Sequence, residues 1–201
     1  MKRILALTLA LVLMFTFAAC KKTETPEASK PETQEPAYAD ALAVLGAIWD
    51  TYSEDDKFPV VGGNRSSMGD GQPGAFDLTE AEELTSSLLL PEENIAQVKS
   101  AASMIHMMNS NTFTSAVFQT DTDPAQFSQI LVDAANNRQF LCGIPETIVT
   151  LNVENFVIMA FGNGELMESF KNHALELDGV TLIHEGPIVY SGGGGIAIPM
   201  G

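Results

Sequence analysis

The stretch Thr112–Thr120, TFTSAVFQT, decides the fold class of this chain. β-Branched and aromatic residues dominate it, a composition typical of a β-strand. The next stretch, Asp123–Gln126, predicts the start of a helix, because it offers an acid as N-cap, a proline at the first helical position and a glutamine at the third. A strand followed directly by a helix therefore opens this part of the chain.

The same alternation continues towards the C-terminus. Two further strands, a helix that begins after Asn163 and a last strand are predicted at Thr147–Val153, Phe156–Phe161, 164–174 and Val180–His184. The order β-α-β-β-α-β is that of a ferredoxin-like unit, in which two helices cover one face of an antiparallel sheet. We therefore predict an α+β fold whose ferredoxin-like part spans residues 112–190.

The preceding residues, 38–111, are predicted to be helical. Tyr38–Tyr52 has apolar residues at helical spacing, and Asp77–Glu80 resembles a capping box that opens a short helix to Ser87. A third helix is predicted from Pro91 to Met108. Between the first two helices lies a glycine-rich loop at 61–74, and we expect loops of this length to be functional or mobile.

The N-terminus has the layout of a secretory signal. Lys2 and Arg3 precede an uncharged apolar run, Ile4–Phe17, of 14 residues, whereas a membrane-spanning helix needs about 20. Small residues follow the run. We therefore predict that residues 1–19 are a signal peptide.

Phe17-Ala18-Ala19-Cys20 resembles the lipobox of bacterial lipoproteins, in which the signal peptidase cuts before a lipid-modified cysteine. The resemblance covers residues 1–20, and Phe17 departs from the usual leucine. It implies that Cys20 becomes the acylated N-terminus and anchors the protein to the outer face of the cell membrane or, in a Gram-negative cell, to an envelope membrane. Residues 20–37 are rich in proline and polar side chains, so we predict a disordered tether there, and a flexible tail at 191–201.

The charge and the cysteine content limit the classes of partner. The formal net charge is −16, and removal of Lys2 and Arg3 with the signal peptide lowers it to −18. Such a chain should repel phosphate backbones, so no nucleic-acid partner is expected. The chain has two cysteines, and acylation of Cys20 would leave Cys142 without an intramolecular disulfide partner.

Two groups of side chains suggest chemistry, and each has a structural alternative. Cys142 is a candidate nucleophile for a hydrolase, but no histidine is near it in sequence, and free cysteines are commonly buried. Met104, Met107 and Met108 stand at helical i, i+3 and i+4 spacing and could bind copper(I). The same spacing is typical of a core stripe, which we favour.

Three other features are interpreted structurally. The acidic clusters at 54–56 and at Asp121 and Asp123 lack the pattern of a calcium loop, so we expect solvated carboxylates and a helix cap. In the glycine-rich loop, residues 64–67 could contact a ligand, but no phosphate-binding motif is present. Trp49, the single tryptophan, lies on a predicted apolar helix face, which disfavours carbohydrate binding.

The layout is similar to that of uncharacterised small lipoproteins of Gram-positive gut anaerobes, including the stretch Gln139–Pro145, QFLCGIP. That resemblance implies no known activity. We expect a lipid-anchored, non-enzymatic module that binds an envelope protein or an extracellular ligand, without a catalytic, metal or cofactor site. The alternatives are an envelope enzyme that uses Cys142 and copper handling by the three methionines.

Overall fold

A computed structural model of the chain describes residues 37–141 and 143–189, which contain four helices and eight strands. The helices are α1 Ala41–Thr51, α2 Ala81–Leu88, α3 Pro124–Asn137 and α4 Gly164–Leu175, and a 3-10 helix spans Glu92–Gln97. The strands are β1 Val60–Gly62, β2 Gly69–Asp70, β3 Gly74–Phe76, β4 Val98–His106, β5 Phe113–Thr120, β6 Thr147–Val153, β7 Phe156–Gly162 and β8 Thr181–Pro187. Helices and an antiparallel sheet confirm the α+β class.

The predicted order of elements from residue 112 onwards is confirmed, and α3 shows why local signals sufficed there. Asp123 is the N-cap of α3, and its Oδ1 accepts a hydrogen bond of 3.0 Å from the backbone N–H of Gln126. Pro124 occupies the first turn, where no backbone donor is required. A helix start of this kind is encoded within four residues, so it can be read from the local sequence.

The helix predicted from Pro91 to Met108 is wrong. Only the 3-10 helix Glu92–Gln97 forms there, and the chain then continues as β4, the longest strand described. β4 pairs with β5 on one side and with β1 and β3 on the other. Its alanines and serines carry little strand preference of their own, so these partners rather than local propensity determine its conformation. The segment 38–111 therefore contains four strands in addition to α1 and α2.

The start of α2 also differs from the prediction. Asp77 does not cap the helix; its Oδ1 accepts hydrogen bonds from the backbone N–H and the hydroxyl of Thr79, at 2.9 and 2.8 Å. These two bonds lower the pKa of Asp77. The helix begins at Ala81, after Glu80. An aspartate side chain can accept a hydrogen bond from the backbone N–H two residues later and form a local turn instead of a helix cap. This alternative explains why α2 begins later than predicted.

All strand pairs of the sheet are antiparallel, and the order is β2-β1-β4-β5-β7-β6-β8, with β3 beside β1 on the same edge of β4. β1 and β3 meet end to end at Gly62 and Gly74. A Cβ on Gly62 would lie 2.1 Å from the backbone nitrogen of Gly74, so both positions require glycine. Part of the glycine-rich loop is therefore ordered by the close approach of two strands.

Apolar side chains lie on both faces of the sheet, and each face has its own core. In β7, Phe156, Ile158 and Ala160 face α1 and α4, whereas Val157, Met159 and Phe161 face α2 and α3. Because side chains alternate along a strand, a strand that is apolar at every position needs cover on both sides. The molecule accordingly has helices on both faces.

This arrangement corrects the ferredoxin-like prediction. In a ferredoxin-like unit both helices lie on one face, but here α3 and α4 pack on opposite faces. The last strand of such a unit lies beside the first, whereas β8 pairs with β6 and the neighbours of β5 are β4 and β7. The prediction failed because β5 and β7 are buried on both faces, which a two-layer unit cannot provide. Among the described residues, no helix is long and apolar enough to cross a membrane.

Candidate functional site

Several of the predicted functional positions lie outside the described residues. These are the signal peptide 1–19, the lipidation site Cys20 and the tether up to residue 36, as well as Cys142 and residues 190–201. The lipid anchor and the thiol chemistry therefore stay predictions. The other candidates are described, and their surroundings decide between the alternatives.

The three methionines do not lie on one helical face. Met104 is in β4 and is fully buried in the core beneath α1 and α4. Met107 and Met108 follow the end of β4 and are exposed, by 48% and 82% of their surface. The predicted convergence of the three sulfurs required a helix that does not form, so the geometric basis for a copper site is lost.

The acidic clusters have the structural roles expected for them. Glu54 pairs with Lys57 at 2.6 Å, and Asp121 pairs with Lys99 at 2.5 Å. Asp123 caps α3. Within the described ranges, no group of three or more histidine, cysteine, aspartate or glutamate side chains is placed to hold a metal ion.

The glycine-rich loop is organised around a buried side chain. Asn64 is fully buried, and its Oδ1 accepts hydrogen bonds from the Ser67 hydroxyl and from the backbone N–H of Asp77, at 3.2 and 3.1 Å. The neighbouring Arg65 and Ser66 border an open cavity of about 510 Å³ together with Glu80, Glu82, Glu83 and Ser86. Three carboxylates thus line the same cavity as Arg65. The Oδ1 of Asn64 holds the loop together, whereas its buried Nδ2 has no hydrogen-bond partner among the described residues.

Two of the three histidines belong to an aromatic cluster at one end of the α1–α4 layer. The His173 ring stacks on Tyr52 with centroids 3.8 Å apart, and its Nδ1 lies 2.9 Å from the Thr51 hydroxyl. His106 lies parallel to Phe58 at 6.3 Å. Burial raises the pKa of the Tyr52 hydroxyl to about 12. The Glu176 carboxylate also lies 3.7 Å from His173 Nδ1. The Thr51 hydroxyl beside that nitrogen already donates to the Ile48 carbonyl within α1, so we interpret both rings as packing groups.

Arg138 has a different kind of environment. It follows the C-terminal end of α3 and is half-buried, with its guanidinium carbon 5.4 Å from the centre of the Phe140 ring. Its Nη1 donates to the backbone carbonyl of Thr85 at 3.4 Å. Burial lowers the pKa of Arg138, yet a guanidinium stays protonated at neutral pH. The group is therefore a partly desolvated cation held in a fixed orientation.

The other cations of the described chain differ from Arg138 in their electrostatic surroundings. Lys57, Lys99 and Lys171 each form an ion pair, and Arg65 borders a cavity lined by carboxylates. No carboxylate oxygen of the described residues lies within 4.0 Å of the Arg138 guanidinium. An arginine without a carboxylate partner among the described residues keeps N–H donors that an anionic group can use.

Two open grooves meet at Arg138. The first, of about 420 Å³, runs between α2 and α3 and is lined by Thr85, Ser86, Leu89, Pro91, Ala134, Asn137, Arg138 and Gln139. The second, of about 380 Å³, is lined by Met108, Asn109, Ser110, Asn111, Arg138, Gln139, Phe140 and Leu141. Among the residues that the structure describes, no carboxylate lines either groove. We call these two sets of residues together the Arg138 surface.

Loop-to-loop hydrogen bonds hold the Arg138 surface in place. The Asn111 side chain donates from Nδ2 to the carbonyl of Gly143 at 2.8 Å, which ties the β4–β5 connection to the α3–β6 connection. Val189 donates its backbone N–H to Oδ1 of Asn136 at 2.8 Å, so the chain after β8 is fixed to the end of α3. The surface is thus supported by segments that are far apart in sequence.

In the sequence, Arg138 stands out only as a neighbour of Cys142. The local sequence does not set it apart from the other cations after the tether, because Arg65, Lys99 and Arg138 all lack an acidic residue within four positions. Its pairing could not be known, since each of the ion pairs of Lys99 and Lys171 joins two different elements.

Comparison with known proteins gives no further guide to this surface. No protein-family model matches the chain, and neither the curated proteins nor the solved structures yield a significant match. Any function therefore has to follow from the residues and their geometry.

Proposed function

We propose that this chain is an exported lipoprotein, anchored by lipid on Cys20, and that its folded part is a non-enzymatic module that binds a ligand through the Arg138 surface. The basic n-region, the short apolar run and the lipobox resemblance at Phe17–Cys20 support the anchor. The binding role is supported by one observation above all. A half-buried arginine without a carboxylate partner among the described residues lies where two open grooves meet.

The anchor can be tested by metabolic labelling. Cells that express the full chain are grown with a clickable palmitate analogue, and the membrane fraction is probed for the labelled protein. We expect label and membrane association in the wild type and in Cys142→Ser, and loss of both in Cys20→Ser. Labelling that persists in Cys20→Ser would refute the proposed site of acylation.

The binding role can be tested with panels of compounds that cover several ligand classes. The full chain, purified in detergent, is screened by thermal unfolding against separate panels of peptides, soluble glycans and divalent metal salts. A compound that binds the folded state raises the melting temperature by mass action. We expect at least one compound to stabilise the wild type and Arg65→Gln but not Arg138→Gln.

Arg65→Gln is the matched control, because it removes the same charge from a cavity already lined by carboxylates. Equal stabilisation of wild type and Arg138→Gln would show that the ligand binds elsewhere. The absence of stabilisation by every panel would contradict the binding role itself.

A further inference from the structure

We infer that the Arg138 surface recognises an apolar peptide segment that carries a single carboxylate; this inference rests on the proposed function and names its ligand class. The guanidinium of Arg138 has five N–H donors in a planar fork, and its one hydrogen bond among the described residues is to the Thr85 carbonyl. A carboxylate matches that fork because its two oxygens can accept two parallel hydrogen bonds.

The orientation of the Arg138 guanidinium favours the binding of a carboxylate. The Phe140 ring supports it, with the guanidinium carbon 5.4 Å from the ring centre, and Phe140 in turn packs against Phe161 of β7 at 5.9 Å. A guanidinium positioned in this way loses less conformational entropy when it binds than a free surface arginine does. The remaining donors are therefore available in a preorganised geometry.

Apolar side chains stand on both sides of the cation. Leu89 and Pro91 line the groove beside α2, and Met108 and Leu141 line the second groove. Met108 and Leu141 are exposed by 82% and 86% of their surface, the highest values among the large apolar residues described. Exposed apolar residues grouped around one polar anchor are typical of protein-binding surfaces.

The net charge of the chain limits the ligand to one carboxylate among apolar groups. The formal charge of −16 repels a polyanion as it approaches. At physiological ionic strength, salt screens the repulsion from charges more than about 8 Å away. A single carboxylate placed at Arg138 is therefore affected mainly by the attraction of the adjacent guanidinium. In a peptide with a run of acidic residues, only one carboxylate could pair with Arg138. The other carboxylates would be repelled by the acidic protein, and among the described residues the Arg138 surface offers no second cation to bind them.

A peptide fits this surface better than a sugar does. Sugars bind by stacking on exposed aromatic rings, and the exposed large apolar residues of the described chain are all aliphatic. Three residues with side-chain amides, Asn109, Asn111 and Gln139, line the second groove. Amides can both donate to and accept from a peptide backbone, so they complement the chain of a ligand whose side chains meet Met108 and Leu141.

The test uses three fluorescent peptides that are acetylated and amidated at their ends. The first alternates leucine and alanine around one central glutamate, the second has glutamine in place of that glutamate, and the third is a short polyglutamate. Binding to the full chain in detergent is followed by fluorescence anisotropy. We expect the first peptide to bind, with an affinity about tenfold to hundredfold above that of the other two.

Variants of the protein locate the site. Arg138→Gln should reduce the affinity for the glutamate peptide by about tenfold or more, down to that of the glutamine peptide, whereas Arg65→Gln should leave it unchanged. Leu141→Ser is a second probe, because a side chain exposed by 86% can be changed without loss of the fold. Leu141→Ser should lower the affinity for both leucine-containing peptides to a similar degree.

The possible failures separate the ligand class from the binding role. Equal binding of the glutamate and glutamine peptides, or tighter binding of polyglutamate, overturns the inference of a single carboxylate. If no peptide binds but a glycan stabilises the protein through Arg138, the inference fails and the proposed function stands. If the glutamate peptide binds Arg138→Gln as tightly as the wild type, both fail.

Discussion

At the scale of single residues, we expect the burial of Tyr52 to make the protein less stable as the pH becomes alkaline. Its ring is 4% exposed, and burial raises its pKa from 10.0 to about 12. The unfolded chain loses this proton at lower pH than the folded chain, so the contribution is complete below pH 10 and is lost as the pH rises to about 12. Over that range we expect a loss of about 2–3 kcal/mol in the free energy of unfolding.

Urea unfolding of wild type and Tyr52→Phe across this pH range measures the effect. The phenylalanine variant should lose less stability on the way to high pH, because it has no hydroxyl to ionise. Tyr38→Phe is the matched control for the loss of a hydroxyl, because Tyr38 packs edge-on against Phe156 at 6.4 Å but is only half-buried. Parallel pH curves for wild type and Tyr52→Phe would disprove the assignment.

At the scale of elements, substitutions of Met104 and Met108 test whether Val98–His106 forms the strand β4. Met104 is fully buried between the sheet and the α1–α4 layer, whereas Met108 lies beyond the strand and is 82% exposed. We expect Met104→Ala to lower the free energy of unfolding by about 2–5 kcal/mol and Met108→Ala to change it by less than about 0.5 kcal/mol. Chemical denaturation of the two variants checks this.

The comparison also separates the strand from the helix that the sequence predicted. On a helix, positions i and i+4 share a face, so Met104 and Met108 would be buried to similar degrees and their variants would have similar costs. Comparable losses in the two variants would therefore argue against β4 as described.

At the scale of the whole molecule, one sheet serves two cores. Leu45 of α1 lies in the core on one face, and Leu131 of α3 lies in the core on the other. Because β5, β6 and β7 contribute side chains to both cores, neither layer can unfold without exposing the other. We expect Leu131→Ala to lower the unfolding midpoint seen by Trp49 fluorescence, although Trp49 lies on the opposite face.

Leu45→Ala is the matched substitution in the core that contains Trp49. Each of the two variants should lower the free energy of unfolding by about 2–5 kcal/mol. For both, Trp49 fluorescence and far-ultraviolet circular dichroism should report the same midpoint, since Trp49 is the single tryptophan of the chain. A Trp49 transition that stays at its wild-type midpoint in Leu131→Ala would show that the two layers unfold independently.

The sequence by itself determined the elements from residue 112 onwards, since their signals are local. Asp123–Gln126 specifies a helix start within four residues, and the composition of Thr147–Val153 specifies a strand without reference to its neighbours. The resemblance of Phe17–Cys20 to a lipobox is equally local, and the anchor proposed there depends on the sequence alone.

Only the tertiary structure decided which segments pair and which face each helix covers. β4 is a strand because β5, β1 and β3 flank it, and α3 and α4 lie on opposite faces because both faces of the sheet are apolar. The Arg138 surface likewise joins α2, the β4–β5 connection and the end of α3. Such contacts depend on burial and pairing between residues distant in sequence, and propensity within a short window carries no information about them.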